Sequence, residues 1–171
     1  MTLKNNNLIF AILLVIIFSY GMKRAFIVDF MLGRLCRWLR LIGEDALYYR
    51  EDDGNGIIYS SLRSKRIILT RNSRLSIKRA LKVCLIKSDD FRKQLKQVID
   101  EFGIKVIPEN IFTRCTQCNS MLEEIPKGSV TGKVPDYVYK TQERFSVCRT
   151  CSKIYWNGTH RDLVKKVLEE N

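Results

Sequence analysis

At 171 residues, 46% of them hydrophobic, the chain is long enough to bury a real core with room for a small appendage. Lys and Arg outnumber Asp and Glu by 30 to 18, and the formal charge of +12 favours polyanionic partners, nucleic acid ahead of anionic membrane. The one long apolar stretch, Leu8 to Phe18, falls short of the ~20 residues of a membrane span, so no stable membrane span is expected.

The first twenty-one residues differ from the rest. Lys4 and Asn5 to Asn7 precede the apolar stretch as in a secretory signal, but Phe18-Ser19-Tyr20-Gly21 offers no small-x-small cleavage site. Met22-Lys23-Arg24 runs straight into a core strand with no linker. Residues 1–21 are therefore read as an over-extended start. The alternative is a weak anchor through residues 8–20.

Ala25 to Val28 reads as a buried strand, and Asp29 ends it. Leu32 to Gly43 (LGRLCRWLRLIG) reads as a helix carrying Arg34, Arg37 and Arg40. Asp45 to Tyr49 is a second strand. The loop Glu51 to Gly56 leads to a short helix over Ile57 to Ser64. Arg66 to Thr70 is a β-branched third strand, Leu75 to Leu81 a helix, and Val83 to Ile86 a fourth strand. Ser88 is placed to cap an amphipathic helix over Asp89 to Phe102, which buries Phe91, Leu95, Val98, Ile99 and Phe102 and stops at Gly103. The βαβα order predicts an α/β fold, a mainly parallel sheet with helices on both faces, over residues 22–107.

In such a sheet the carboxyl ends of the strands share one edge, where ligands bind. Asp29, the Thr70-Arg71-Asn72 turn and Ser88-Asp89-Asp90 fall there. Carboxylates meeting at that edge would hold Mg²⁺ or Mn²⁺, and arginines would hold phosphate oxygens. Together they describe metal-assisted phosphodiester hydrolysis. The plainer readings are that Asp29 starts a turn and that Asp89 or Asp90 complements a helix dipole. Asn72 carries no charge and cannot act as a base.

The last third changes character. Cys115-x-x-Cys118 and Cys148-x-x-Cys151 read as the two knuckles of a structural Cys₄ zinc site, with disulfides as the alternative. A hairpin over Lys133 to Phe145 would fill the long insert between them. Cys36 and Cys84 read as buried, inert thiols. His160 is read as ordering a turn or touching a phosphate rather than as catalytic, and Tyr155 and Trp156 as packing on the ribbon or stacking on an RNA base.

These motifs resemble a known family. IVDFMLGRLCRWLRLIG (27 to 43), IILTRNSRL (67 to 75), CTQCNSML (115 to 122) and CRTCSKIYWNGTH (148 to 160) are similar, in order, to the Mut-seven C-terminal RNase domain family of PIN-like ribonucleases. The resemblance implies a PIN-like three-layer core over residues 22–107, followed over 108–171 by a small zinc ribbon with a C-terminal helix. It also implies a metal-dependent RNase activity. Asp29 matches the family's leading acid, Arg34 and Arg37 its helix arginines, and the four cysteines its ribbon ligands. Two departures stand out. Asn72 and Asn55 lie where the family usually has acids, and Asp52 or Asp53 would have to take over from the second.

The expected site is therefore Asp29, Asp53 and Asp89 as catalytic acids, with Arg34, Arg37, Arg71 and Asn72 on the RNA. Cys115, Cys118, Cys148 and Cys151 bind structural Zn²⁺, and Mg²⁺ or Mn²⁺ serves catalysis. The expected function is a cytoplasmic endoribonuclease acting on RNA, alone or in a ribonucleoprotein or ribosome. The alternatives are a catalytically weakened RNA-binding module and a zinc-ribbon protein adaptor.

Overall fold

A computed structural model describes residues 24–76, 82–156 and 167. The expectations for residues 1–21, for the helix beyond Ser76 and for His160 fall outside them. Most of the expected C-terminal helix does too.

Four short strands, β1 (Ala25–Val28), β2 (Asp45–Tyr48), β3 (Ile67–Thr70) and β4 (Val83–Leu85), form one sheet in the order β2-β1-β3-β4. Every pairing is parallel, with Val28 opposite both Tyr48 and Leu69, and Leu69 opposite Cys84. Helices α1 (Gly33–Leu41), α2 (Gly54–Ser64), α3 (Ser73–Ser76) and α4 (Phe91–Phe102) separate and follow the strands. Alternation along the strands sorts the core. Phe26, Val28 and Leu69 point into one cluster with Leu35, Leu39, Leu95 and Val98 of α1 and α4. Ile27 and Ile68 point the other way, against Ile57 and Leu75 of α2 and α3. The fold is thus mixed α/β, a parallel sheet with helices on both faces.

Two sequence expectations need correction here. Helix α4 starts at Phe91 rather than Asp89, and Asp90 caps it: the backbone N–H groups of Arg92 and Lys93 donate to Asp90 Oδ1 at 2.8 and 3.2 Å. Ser88 instead accepts the Asp90 N–H at 3.1 Å, one step outside the helix. Likewise α2 starts at Gly54 rather than Ile57, because Asp53 accepts the N–H groups of Asn55 and Gly56 at 2.9 and 3.0 Å.

The C-terminal part is a small antiparallel sheet, β5 (Glu123–Ile125), β6 (Phe145–Val147) and β7 (Ile154–Trp156), in that order. The insert before β6 is not the expected hairpin. It forms a 3-10 turn at Lys127–Val130 and helix α5 (Asp136–Thr141), and Val130, Val134 and Val138 of the insert meet Phe145 in a separate core. Pro135 just before Asp136 suits a helix start and would interrupt a strand ladder. Val167, beyond the ribbon in sequence, is buried in the main cluster of the α/β core.

The ribbon is fastened at the amino-terminal end of the sheet. Arg40, buried in α1, donates through Nε to Ala46 O at 2.7 Å and through Nη1 to Thr116 O and Gln117 O at 3.1 and 2.7 Å. Asn119 Nδ2 donates to Asp45 Oδ1 at 2.7 Å, and Asn119 Oδ1 accepts the Ala46 N–H at 3.2 Å. Phe112 N–H reaches Leu41 O at 3.0 Å, and Arg114 reaches Gly43 O at 3.2 Å. The sequence sets Arg40 on one helix with Arg34 and Arg37. The Arg40 guanidinium is spent on the first cysteine knuckle.

Candidate functional site

The chain runs from β1 out to β2 and returns to β3 on the other side of β1, so the strand order reverses between β1 and β3. Open α/β sheets bind their ligands in the crevice outside that reversal, at the carboxyl ends. Asp29 stands there, 5% exposed, its backbone N–H donating to Leu69 O at 3.0 Å. Fully buried Thr70, at the end of β3, donates its hydroxyl to Asp29 Oδ2. The same Oγ1 accepts the Asn72 N–H at 3.0 Å. One hydroxyl therefore fixes both the acid and the turn that follows β3.

Arginines follow the strand ends at this edge. Helix α1 starts one 3-10 turn after Asp29, so exposed Arg34 lies in its first turn and Arg37 in its second. The Arg34 guanidinium lies 3.6 Å from the centre of the Phe91 ring, and that of Arg92 lies 5.4 Å from it. Phe91 opens α4, and its ring packs against that of Trp38 with centroids 5.5 Å apart. Arg71, after β3, is paired with Asp89, after β4.

The expected acids do not gather around Asp29. Asp53 is occupied as the cap of α2. Asp89, 80% exposed, pairs with Arg71. Asn72 Oδ1 accepts the Arg74 N–H at 3.0 Å and so opens α3, and Asn55 is exposed in the first turn of α2. Among the described residues, the one group of three or more Cys, His or acidic side chains close enough to share an ion is the cysteine set.

In that set all four Sγ atoms lie within 4.8 Å of one another, Cys115 with Cys151 at 3.5 Å and Cys118 with Cys148 at 3.3 Å. A tetrahedron with ~2.3 Å metal–sulfur bonds has sulfur–sulfur edges of ~3.8 Å, so the four can hold a metal ion such as zinc. The two knuckles are built alike. Asn119 N–H returns to Cys115 O at 2.9 Å and Ser152 N–H to Cys148 O at 2.8 Å, with Asn119 and Ser152 at φ +75° and +57°. Electrostatics agree with a cation. Burial opposes ionisation of Cys115, but the Tyr155 hydroxyl at 3.1 Å and the backbone N–H groups of Cys118 and Gln117 bring it down to about 6. Cys151 receives the Lys153 N–H, which favours its thiolate, yet burial and the neighbouring sulfurs push it up to about 12. Four thiolates this close need a positive charge among them. Cys36 and Cys84 are buried elsewhere, and burial pushes their thiols up to about 11 and about 12, which keeps both protonated.

Comparison with protein families places residues 24–168 under the description Mut7-C RNAse domain. The chain belongs to that family. Membership as a Mut7-C RNAse domain suggests a ribonuclease-like function with RNA as a partner, and the match spans both the α/β core and the cysteine ribbon. Among curated proteins, none matches the chain. No helix among the described residues of this Mut7-C domain is long and apolar enough to cross a membrane.

Sequence reasoning missed three parts of the site. Thr70 was read as a β-branched strand end, and only the β1–β3 pairing gives its hydroxyl a purpose. Phe91 was read as core alone, although it also carries Arg34. The Arg40–Asn119–Asp45 fastening left no signal beyond an Arg and an Asn beside motifs.

Proposed function

We propose that this chain is a metal-dependent endoribonuclease with a PIN-like core, cutting RNA at Asp29, with the cysteine ribbon holding structural Zn²⁺. The observation that carries the reading is Asp29 itself, a buried carboxylate at the strand-order reversal, held by Thr70, with Arg34 in the first turn of α1 and the Arg71–Asp89 pair following β3 and β4. Arg34 and Arg37 bind phosphate oxygens at the rim, and Phe91 keeps Arg34 aimed there. Thr70 keeps the Asp29 carboxylate turned toward the crevice. Asp89 fixes Arg71 and leaves its remaining donors for the RNA.

The donor set suits a lightly held ion. Mg²⁺ is commonly bound by one or two carboxylates with substrate phosphates and retained waters, and Asp29 supplies one such oxygen donor. When bound with RNA, the cation would activate water and shield charge on the leaving oxygen. With Asp53 committed to a cap and amides at positions 55 and 72, few protein charges contribute, so tight binding of the ion requires the RNA.

The test is cleavage of RNA by the full chain with Mn²⁺ or Mg²⁺ against EDTA, beside Asp29→Asn. Cleavage that needs the metal and falls at least a hundredfold in the variant supports the reading. A wild type that binds RNA with no metal requirement and leaves it intact would make the protein a binding module, the reading that Asn55 and Asn72 favour.

A further inference from the structure

Away from the acid edge, the ribbon holds a recess of about 180 Å³, smaller than the ~300–1,000 Å³ of drug-sized sites and close to the scale of one planar heterocycle. Phe112, Tyr155 and Trp156 supply its aromatic walls, and Glu109, Glu124 and Arg144 its polar rim. Phe112 is held at φ +61°, a left-handed backbone that a bulky residue rarely adopts. Its N–H is pinned to Leu41 O at 3.0 Å, the last turn of α1. Such conformations persist where the surroundings over-determine them, often at ligand clamps.

We propose that this recess captures one base of single-stranded RNA, and that it prefers a base bearing an exocyclic amino group. The inference rests on the reading of the chain as an RNA-acting protein. Aromatic walls in a protein of +12 charge fit the stacking platforms of single-strand binders. The rim around this recess is the reverse of a phosphate site: two carboxylates stand against one guanidinium, and Glu124 already pairs with Arg144 at 3.3 Å. Carboxylates accept from amino groups, as Glu and Asp do from cytosine N4, and repel phosphate. Glu109 is exposed and makes no ion pair among the described residues, so its oxygens remain available.

Placement supports the same partner. Helix α1 starts beside Asp29 and ends where Phe112 is attached, a length of about 13 Å at ~1.5 Å per residue, with Arg34 and Arg37 exposed along it. A strand whose phosphates follow those arginines from the acid edge arrives at the ribbon. A pentamer spans this distance even when stacked at ~3.4 Å per nucleotide.

The experiment measures binding of cytidine and uridine pentamers to the metal-loaded full chain in EDTA-free buffer without Mg²⁺ or Mn²⁺, for the wild type, Phe112→Gly, Glu109→Gln and Arg34→Ala. Glycine suits the φ of position 112 and keeps its backbone, and retained metal content with an unchanged circular dichroism spectrum verifies the fold. The wild type is expected to bind the cytidine pentamer roughly tenfold more tightly than the uridine one. Phe112→Gly should weaken both roughly tenfold, and Glu109→Gln should erase the preference. If Arg34→Ala weakens binding while Phe112→Gly and Glu109→Gln leave it unchanged, the recess is overturned and the RNA reading stands. No RNA binding by the wild type overturns both. Binding that depends on Phe112 and Glu109 but not on Arg34 keeps the recess and removes the helix from the RNA path.

Discussion

Thr70 shows how much one hydroxyl can carry. It donates to Asp29 and accepts from the Asn72 backbone, so Thr70→Val leaves a buried carboxylate oxygen and a backbone N–H without partners. Each such loss costs about 1–3 kcal/mol, so the two together should lower the melting temperature by roughly 4–20 °C for a chain of this size. If Thr70 positions Asp29, kcat for RNA cleavage should drop at least tenfold while KM stays within a factor of two, and Thr70→Ser should restore both. A purely structural threonine would lower stability without that split. Asp45 carries a second residue-scale prediction. Burial raises its carboxyl, but the hydrogen bonds from Arg66 and Asn119 and the charges of Arg66 and Arg114 outweigh it and hold it below 3.8. Its stabilising contribution is therefore complete above 3.8 and is lost as pH falls through the lower folded value. Denaturant unfolding of Asp45→Asn should show a weaker loss of stability than the wild type across that acid range. Equal slopes would mean that the Asp45–Arg66 pair, 2.6 Å apart, contributes nothing to folding. Asp29 was legible in the sequence because a short β-rich run ends on it. Thr70 and Asp45 were not, since their partners are supplied by neighbouring strands and by a knuckle 74 residues away.

At the scale of elements, α1 illustrates a limit of reading by spacing. Arg34, Arg37 and Arg40 recur every three residues, and a turn holds 3.6, so each steps back about 60° around the axis. Over two steps the drift is about 120°, enough to carry Arg40 off the exposed face and into the joint with the ribbon. The boundaries of α4 failed for a related reason: Ser88 and Asp90 are both good caps two residues apart. Burial of Phe91, Leu95 and Val98 on one face selects the later start. If Arg34 and Arg37 bind phosphates, each Arg→Ala change should shallow the dependence of log Kd on log salt by ~0.7, the value for one contact on a single strand. Titration of a fluorescent RNA across salt concentrations measures this directly, and an unchanged slope would remove those residues from the interface. The stop of α1 makes a stability prediction. Gly43 sits at φ +95°, and an added Cβ would fall 2.7 Å from Asn110 O. Gly43→Ala should therefore cost more than the ~1–2 kcal/mol of a left-handed backbone alone, because the linker to the ribbon must also move. Thermal melts, with limited proteolysis at the linker, would register both effects.

Across the whole molecule, the two ends of the sheet divide the labour: the acid and its arginines occupy the carboxyl edge, and the ribbon is clamped at the amino edge. The parallel sheet and the cysteine knuckles could be read from the order of β-rich runs and from Cys-x-x-Cys spacing. How the two parts join could not, because it depends on Arg40, Asn119 and Val167 meeting groups distant in sequence. A boundary at residue 107 divides the chain in sequence, yet Val167 is buried among Phe26, Leu35 and Leu95 of the α/β cluster. Metal removal tests what this arrangement implies. Strands of three residues around four buried side chains cannot sustain the ribbon, whereas sixteen buried residues support the main sheet. A strong chelator should therefore abolish hydrogen-exchange protection in β5 to β7 and leave β1 and β3 protected. The melting temperature of the remaining core should still fall by several degrees, because Arg40 loses two of its three carbonyl partners. Val167→Asp should show the inverse pattern, with protection lost first in β1 and β3 and metal retained, since a charge buried in that cluster has no partner. If chelation and Val167→Asp instead erase protection everywhere alike, core and ribbon fold as one cooperative unit, and the Arg40 clamp transmits metal loss into the sheet that holds Asp29.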